Sequence, residues 1–374
     1  MTAPDIEIDK LPLPAQKALA PDAPIPLKTM AARGVIPGLK PGDIVTVVAA
    51  LVDASEPTIA ETARTTLGKL PAPMLTGALA TDLAGTVIER LAEALPGRHD
   101  VIEQLLRMRR ITARALELMA DLADERAGEL IATNEELMLK HPLVIEKLYM
   151  NKRVRMSTAD RLIELAVRNG LELSIPAFKE AAAAIKNELI PEPSEEPTFD
   201  DVLFKETEEI AQKLEIAEAE DTHEVDDEGE EQLREKFLPL HAKIAAMTVT
   251  NKIRTAMLGT AAERLILIRD PNRLVSSAAA KSPLMRENEA IQIAASRAVN
   301  EDVLRTIAQN REFTRSYQVK LNLIQNPRTP FTFATRLIPH LRESDLRSLS
   351  KSKNVSGAVA QAVQQQLTRK QGRQ

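Results

Sequence analysis

The residues that most often carry out catalysis are scarce or badly spaced in this chain. Five histidines are present, and no two stand four residues apart, the spacing that puts two metal ligands on one helix face. No GxGxxG, GxxxxGK[ST] or GxSxG motif occurs. Adjacent acidic pairs, such as Glu135-Glu136 and Glu208-Glu209, point to different sides of a helix. We therefore predict a protein that is not an enzyme and that holds no metal or cofactor.

Composition narrows the class of protein further. The 374 residues include no cysteine, which excludes disulfides, thiolate metal sites and a cysteine nucleophile. The first residues lack the basic start and apolar stretch of a secretory signal, and no run of about 18 apolar residues occurs. Aromatic residues make up 2% of the chain, whereas sheet domains favour them. We expect an all-α protein of the cytoplasm, with no insertion into a membrane.

The net charge of −5 hides a strong asymmetry along the chain. Residues 1–186 carry 25 acidic and 23 basic side chains, residues 187–236 carry 20 and 4, and residues 237–374 carry 9 and 22. The middle segment therefore has a net charge of −16 and the last third +13. Because such asymmetry indicates charged partners, we predict that the last third binds an anionic surface.

Cationic side chains recur at or near the polar turns of the last third. Equivalent positions in a repeat array stack along one edge, with helices about 10 Å apart, so these cations predict a ladder of positive charge. The competing interpretation is that they only solubilise the turns and stabilise helix C-termini. The predicted binding residues are Lys281, Arg297, Arg311, Arg315, Arg328 and Lys353.

Those turns divide the last third into regular units. They begin at Lys281, Ser296, Gln309, Gln325 and Ser352, which are 15, 13, 16 and 27 residues apart. Apolar residues between them fall at helical spacing. One helix and one turn of about 13–16 residues predict a helix pair of about 28–30 residues. The stretch 134–169 repeats the same pattern in the first half of the chain.

The stretch from Arg273 to Val363 resembles HEAT-like and leucine-rich-variant helical repeats, most clearly at Asn326-Pro327-Arg328-Thr329-Pro330. In those repeats Asn-Pro-x-Thr-Pro joins two short helices. The stretch from Leu79 to Glu135 is similar to bacterial HEAT-like domains of unassigned function. The resemblance implies a helical repeat fold and no particular activity, since such folds carry many functions. The iron–sulfur cluster of some leucine-rich-variant proteins is excluded because there is no cysteine.

These patterns predict two α-solenoid segments joined by a disordered acidic linker. The linker has too few apolar residues to offset the entropy of ordering, with 201–218 its one candidate for a transient helix. Prolines are expected to break any helix near the N-terminus. The predicted divisions are a Pro-rich disordered tail (1–42), a first helical repeat domain (43–186), the linker (187–236), a basic second repeat domain (237–367) and a tail (368–374).

The predicted function is that of a scaffold or adaptor whose repeat surface binds an acidic face of a protein partner. The alternative is a nucleic-acid-binding protein that contacts phosphates through lysine and arginine. A cyclic dinucleotide held by arginines is the third option. The linker has two interpretations: it lies transiently on the basic surface and competes with the partner, or it is a solvated spacer that keeps the two domains apart.

Overall fold

The computed structural model describes residues 5–186, 190, 192–214, 221–226, 230–352 and 355–371. The chain divides into two compact units, Met1–Leu173 and Ser174–Gln374. Both units are built from short α-helices, and the strands among the described residues form one two-stranded antiparallel ribbon. The predicted all-α class is therefore confirmed. The first unit ends at residue 173, earlier than the boundary at 186 that the sequence indicated.

The first unit opens with a 3-10 turn at Ile8–Lys10. Its α-helices are α1 Leu13–Leu19, α2 Ile25–Ala32, α3 Pro41–Leu51, α4 Pro57–Gly68, α5 Ala72–Leu79, α6 Gly85–Ala94, α7 His99–Leu105, α8 Ala113–Leu122, α9 Glu125–Ala132, α10 Glu135–Lys140, α11 Pro142–Met150 and α12 Met156–Arg168.

Prolines mark the starts of the first helices. Pro14, Pro26 and Pro41 lie in the first turns of α1, α2 and α3, where a missing N–H leaves no helical hydrogen bond unmade. The helices α1 and α2 each bury alanines. The structure therefore differs from the disordered tail that the sequence predicted over 1–42, because these prolines begin helices and do not interrupt them.

A single carboxylate fixes the start of the described chain. Asp5 accepts a hydrogen bond from the backbone N–H of Thr86 at 2.8 Å and another from its hydroxyl at 2.5 Å. Thr86 lies in the first turn of α6, where free backbone N–H groups favour an anion. Burial raises the pKa of Asp5, but the Thr86 hydrogen bonds outweigh burial and hold that pKa below its ordinary value.

The second unit also consists mainly of helices. Its elements are α13 Phe178–Ile185, α14 Phe199–Lys213, β1 His223–Val225, β2 Glu231–Leu233, α15 Leu238–Ala245, α16 Val249–Leu258, α17 Ala261–Leu267, α18 Arg273–Ala280, α19 Glu287–Ala295, α20 Glu301–Gln309, α21 Tyr317–Gln325, α22 Phe331–Leu337, α23 Glu343–Lys351 and α24 Gly357–Gln371. Short 3-10 turns lie at Glu235–Phe237, Phe313–Arg315 and Ile338–His340.

Helices in both units pack against those one or two places along the chain. In the first unit α6 packs against α8, and α8 against α11. In the second, α16, α18 and α20 form one succession of packed helices and α17, α19 and α21 another. Alanine and branched aliphatic residues fill most of the interior, as expected where few rings are available. An exception is Arg254, a fully buried cation whose guanidinium lies 5.5 Å from the centre of the Phe204 ring.

Part of the acidic segment 187–236 is folded into the second unit. Helix α14 begins with a capping box in which Thr198 and Asp201 satisfy each other's backbone N–H groups. It buries Leu203, Phe204 and Ala211 and packs against α15 and α16. The structure differs here from the predicted disordered linker because these apolar residues share one helix face, which the count of charges concealed. Residues 187–189, 191, 215–220 and 227–229 lie outside the described residues.

The same asparagine arrangement closes one turn in each unit. In the first unit the Asn151 side chain donates to the carbonyls of Ala120 at 3.0 Å and Ala123 at 2.9 Å. Its own carbonyl accepts from the backbone N–H of Arg153. These hydrogen bonds reach back about one predicted repeat length along the chain and satisfy carbonyls that a helix end leaves unpaired.

In the second unit Asn326 repeats this arrangement. It donates to Ala294 at 2.9 Å and Ser296 at 2.7 Å and accepts from the N–H of Arg328. The side chain is only 5% exposed. Within its own unit, each asparagine therefore joins its turn to the turn that lies about one predicted repeat length earlier. These contacts are consistent with the regular turn spacing seen in the sequence.

We expect Asn326→Ala to lower the free energy of unfolding by about 1–3 kcal/mol, because two buried carbonyls lose their donor. Urea denaturation followed by circular dichroism measures this loss. The matched control is Asn310→Ala, since the Asn310 side-chain carbonyl only accepts from the N–H of Glu312 within its own turn. Equal losses for the two variants would contradict the assigned role of Asn326.

Candidate functional site

The turns that follow α17, α19 and α21 lie side by side along one edge of the second unit. Consecutive helices joined by short turns run in opposite directions, so every second turn falls at the same end. The hydrogen bonds from Asn326 to Ala294 and Ser296 join two of these turns directly. We call residues 269–272, 296–300 and 326–330 the turn edge.

A polar cleft lies next to the turn edge and shares Arg297 and Asn326 with it. Its volume is about 210 Å³, and its lining residues are Ala295, Arg297, Asn322, Gln325, Asn326 and Ser352. The Asn322 amide donates to the carbonyl of Ile291 at 2.9 Å, so this part of the lining is held in place. The cleft thus presents fixed amide groups next to a guanidinium.

Arg297 and Arg328 are the predicted binding residues that the structure brings to this edge. Both side chains are exposed. The Arg328 guanidinium makes one long contact, 3.4 Å, to the carbonyl of Val299. No carboxylate among the described residues forms an ion pair with either guanidinium. Their positive charge is therefore available to a ligand.

Three other predicted residues lie away from the turn edge. Lys281 precedes α19 and Arg297 follows it, so about 13 Å of helix separates them. Lys281 is paired with Glu180, which neutralises its charge. Arg311 and Arg315 precede α21 and are exposed. Because a helix separates the two ends, the five described residues do not all lie at one edge, which differs from the single ladder that the sequence predicted.

The remaining predicted residue, Lys353, lies outside the described residues. Its neighbour Ser352 lines the cleft. Its membership of the binding site therefore stays a prediction from the turn spacing.

A residue that the sequence did not single out, Glu231, binds to the turn edge. One carboxylate oxygen accepts from the backbone N–H of Arg297 at 2.6 Å and that of Ala298 at 3.3 Å. The other accepts from the Ser296 hydroxyl at 2.7 Å and from Arg269 Nε at 3.0 Å. Burial raises the pKa of Glu231, but the Ser296 hydrogen bond and the Arg269 charge outweigh burial and lower that pKa.

Arg269 joins both ends of the ribbon to the turn edge. Its Nη2 donates to Asp221 at 2.8 Å, while its Nε donates to Glu231. The guanidinium is anchored by a hydrogen bond to the carbonyl of Leu265 at 2.8 Å. Its side chain is only 6% exposed, so these ion pairs are shielded from solvent more than surface pairs are.

No strong sequence signal pointed to Glu231. It is one of many acidic residues in a segment expected to be disordered, and each strand of its ribbon is only three residues long. The Asn-Pro motif at 326–327, by contrast, correctly marked a turn of the edge. Local spacing identifies a turn, but it does not say which distant side chain binds there.

No cluster of three or more His, Asp or Glu side chains suited to a metal ion is found among the described residues. None of their helices has both the length and the apolar character required to cross a membrane.

The pKa of His223, which lies in β1, predicts how the stability of the protein depends on pH. Burial and the Arg269 charge, with a smaller contribution from His241, lower its pKa to about 4 against the opposing effects of Asp221 and Glu231. Unfolding returns the pKa to about 6.5, so the unfolded chain binds more protons between these values. We therefore expect stability to fall as pH drops from about 6.5 to about 4.

Melting temperatures of the wild type and of His223→Gln, measured across that pH range, test this account. Glutamine does not titrate, so the variant should lose less stability on acidification. Identical pH profiles for the two proteins would show that His223 does not contribute.

No family model, curated protein or solved structure matches the chain.

Proposed function

We propose that this chain is a non-catalytic adaptor that binds an acidic segment of a protein partner along the turn edge. The observation that carries the proposal is that the edge already binds one carboxylate, while the guanidinium groups of Arg297 and Arg328 form no ion pair with a carboxylate of the described residues. A partner with several carboxylates would find donors at Arg297 and Arg328 without first breaking an ion pair. Exposed charges at the edge of an interface mainly determine the association rate and the specificity of binding.

The architecture suits this task. We infer that both units are α-solenoids of the HEAT-like kind, since helices pack against their sequence neighbours and equivalent asparagines join successive turns. Stacked repeats place equivalent turns in a row, which suits an extended ligand. The absence of cysteine and the bacterial resemblance fit a protein of the bacterial cytoplasm.

Nucleic acid is the second candidate partner, and one observation favours it. The Phe331 ring begins α22 directly after the turn 326–330, and the residue is 49% exposed. A base stacks on such a ring, and the net charge of +13 over residues 237–374 suits phosphates. The same ring serves an apolar side chain of an acidic peptide equally well. The bound carboxylate of Glu231 favours the peptide, because the edge already accommodates a carboxylate.

Two charge-reversal pairs test the position of the binding surface. We expect Arg297→Glu with Arg328→Glu to weaken binding of a fluorescent oligoglutamate peptide roughly tenfold or more. Arg311→Glu with Arg315→Glu makes the same change in net charge at the other end of α21 and should leave affinity nearly unchanged. Fluorescence anisotropy measures both. Equal losses for the two pairs would show that general charge, and not the turn edge, attracts the peptide.

A salt titration separates the two classes of partner. The full chain is titrated against oligoglutamate and against a random-sequence DNA duplex between about 50 and 200 mM salt. Tighter binding of the duplex, with an affinity loss of roughly 10³-fold or more over that range, would favour nucleic acid. Binding of neither probe would overturn the proposed function.

A further inference from the structure

The Ser296–Ala298 turn is built as a carboxylate site. Each oxygen of the Glu231 carboxylate has two donors: two backbone N–H groups for one, and the Ser296 hydroxyl with the Arg269 guanidinium for the other. Hydrogen bonds to a charged acceptor are about twice as strong as neutral ones. Nothing in this donor set depends on the rest of the glutamate, so any carboxylate presented at the same point fits it.

We propose that Glu231 is an intramolecular occupant of the partner's site, and that an acidic partner segment displaces it from the Ser296–Ala298 turn. This inference rests on the proposed function, since it assigns the turn edge to the partner. The ligand is then an acidic peptide with at least two carboxylates, one replacing Glu231 and another reaching Arg297 or Arg328. A single glutamate makes only the first of these contacts.

The ribbon that carries Glu231 has features that favour its release from the Ser296–Ala298 turn. It has two strands of three residues each, and isolated two-stranded ribbons are marginally stable. Glu224 and Val225 on β1 are exposed, so little apolar surface holds it down. Segments with few buried apolar contacts open at a small fraction of the global free energy of unfolding.

The ribbon also rebinds the turn readily, because the chain is anchored on both sides of it. On one side α14 packs against α15 and α16, and on the other Phe237 is fully buried. A tether of this kind keeps Glu231 at an effective concentration on the order of millimolar beside the turn. Weak or single carboxylates are therefore excluded, and a ligand must make additional contacts to bind.

The glutamate's side-chain contacts leave the Arg297 guanidinium untouched. Glu231 binds the backbone N–H of Arg297, while that side chain is exposed and forms no ion pair with a carboxylate of the described residues. The adjoining cleft and Arg328 extend the donors in the direction away from the ribbon. The free donors give an incoming segment contacts that Glu231 cannot make.

The test uses the full chain and a fluorescent peptide with the sequence of its own residues 221–235. We expect Glu231→Gln to bind this peptide at least about tenfold more tightly than the wild type, because the tethered competitor is removed. Glu230→Gln is the matched control: it makes the same charge change on a neighbouring, exposed residue whose backbone N–H bonds within the ribbon to Asp226. It should behave as the wild type does.

Two controls identify the site and guard against unfolding. A peptide carrying glutamine at the position of Glu231 should bind the Glu231→Gln chain more weakly, since it lacks the carboxylate. Adding Ser296→Ala to Glu231→Gln should also weaken binding, without altering the ribbon. Melting temperatures verify that each variant is folded.

The outcomes separate the two proposals. If Glu231→Gln is folded and gains no affinity, while oligoglutamate binding still depends on Arg297 and Arg328, the ribbon is a structural clamp and this inference is wrong. If oligoglutamate binding does not depend on those arginines either, the proposed function is wrong as well.

Discussion

Helix ends leave backbone groups without partners, and the second unit is organised by how those groups are satisfied. An α-helix leaves its first N–H and last carbonyl groups unpaired, and most helices here are seven to thirteen residues long, so such ends recur often. In the second unit Asn326 donates to carbonyls about 30 residues earlier in the chain, and Ser282 donates to the carbonyl of Met257. Asn151 makes contacts like those of Asn326 in the first unit. These side chains hold segments from different turns together, and the helices that follow the turns pack against one another.

The same constraint creates the candidate site. The buried Asn326 side chain satisfies the carbonyls of Ala294 and Ser296, so the exposed Arg297 guanidinium is not needed for that task. In the adjoining turn the backbone N–H groups of Arg297 and Ala298 donate to the carboxylate of Glu231. The proposed site for acidic ligands therefore lies where the fold itself requires an acceptor.

The sequence predicts the helical class and the turns well because apolar spacing and residues such as Asn326 act locally. Its prediction of disorder near the N-terminus was wrong because proline breaks a helix interior but begins a helix, as at Pro41. The charged segment was misjudged because Phe204 and its neighbours form one apolar face. The predicted charge ladder placed cations from two different edges in one row. Turn spacing alone does not show that successive turns alternate between the two ends of the helices. Glu231 was missed because its partners lie 38 to 67 residues away in the sequence.

The most direct measurement is hydrogen exchange at the amides of Arg297 and Ala298. Both are bound to Glu231 in this structure, so they should be protected in the wild type and should exchange faster in Glu231→Gln. Saturating that variant with oligoglutamate should restore the protection, because the peptide supplies the missing carboxylate. Amides that remain unprotected while the peptide is bound would contradict a carboxylate site at this turn.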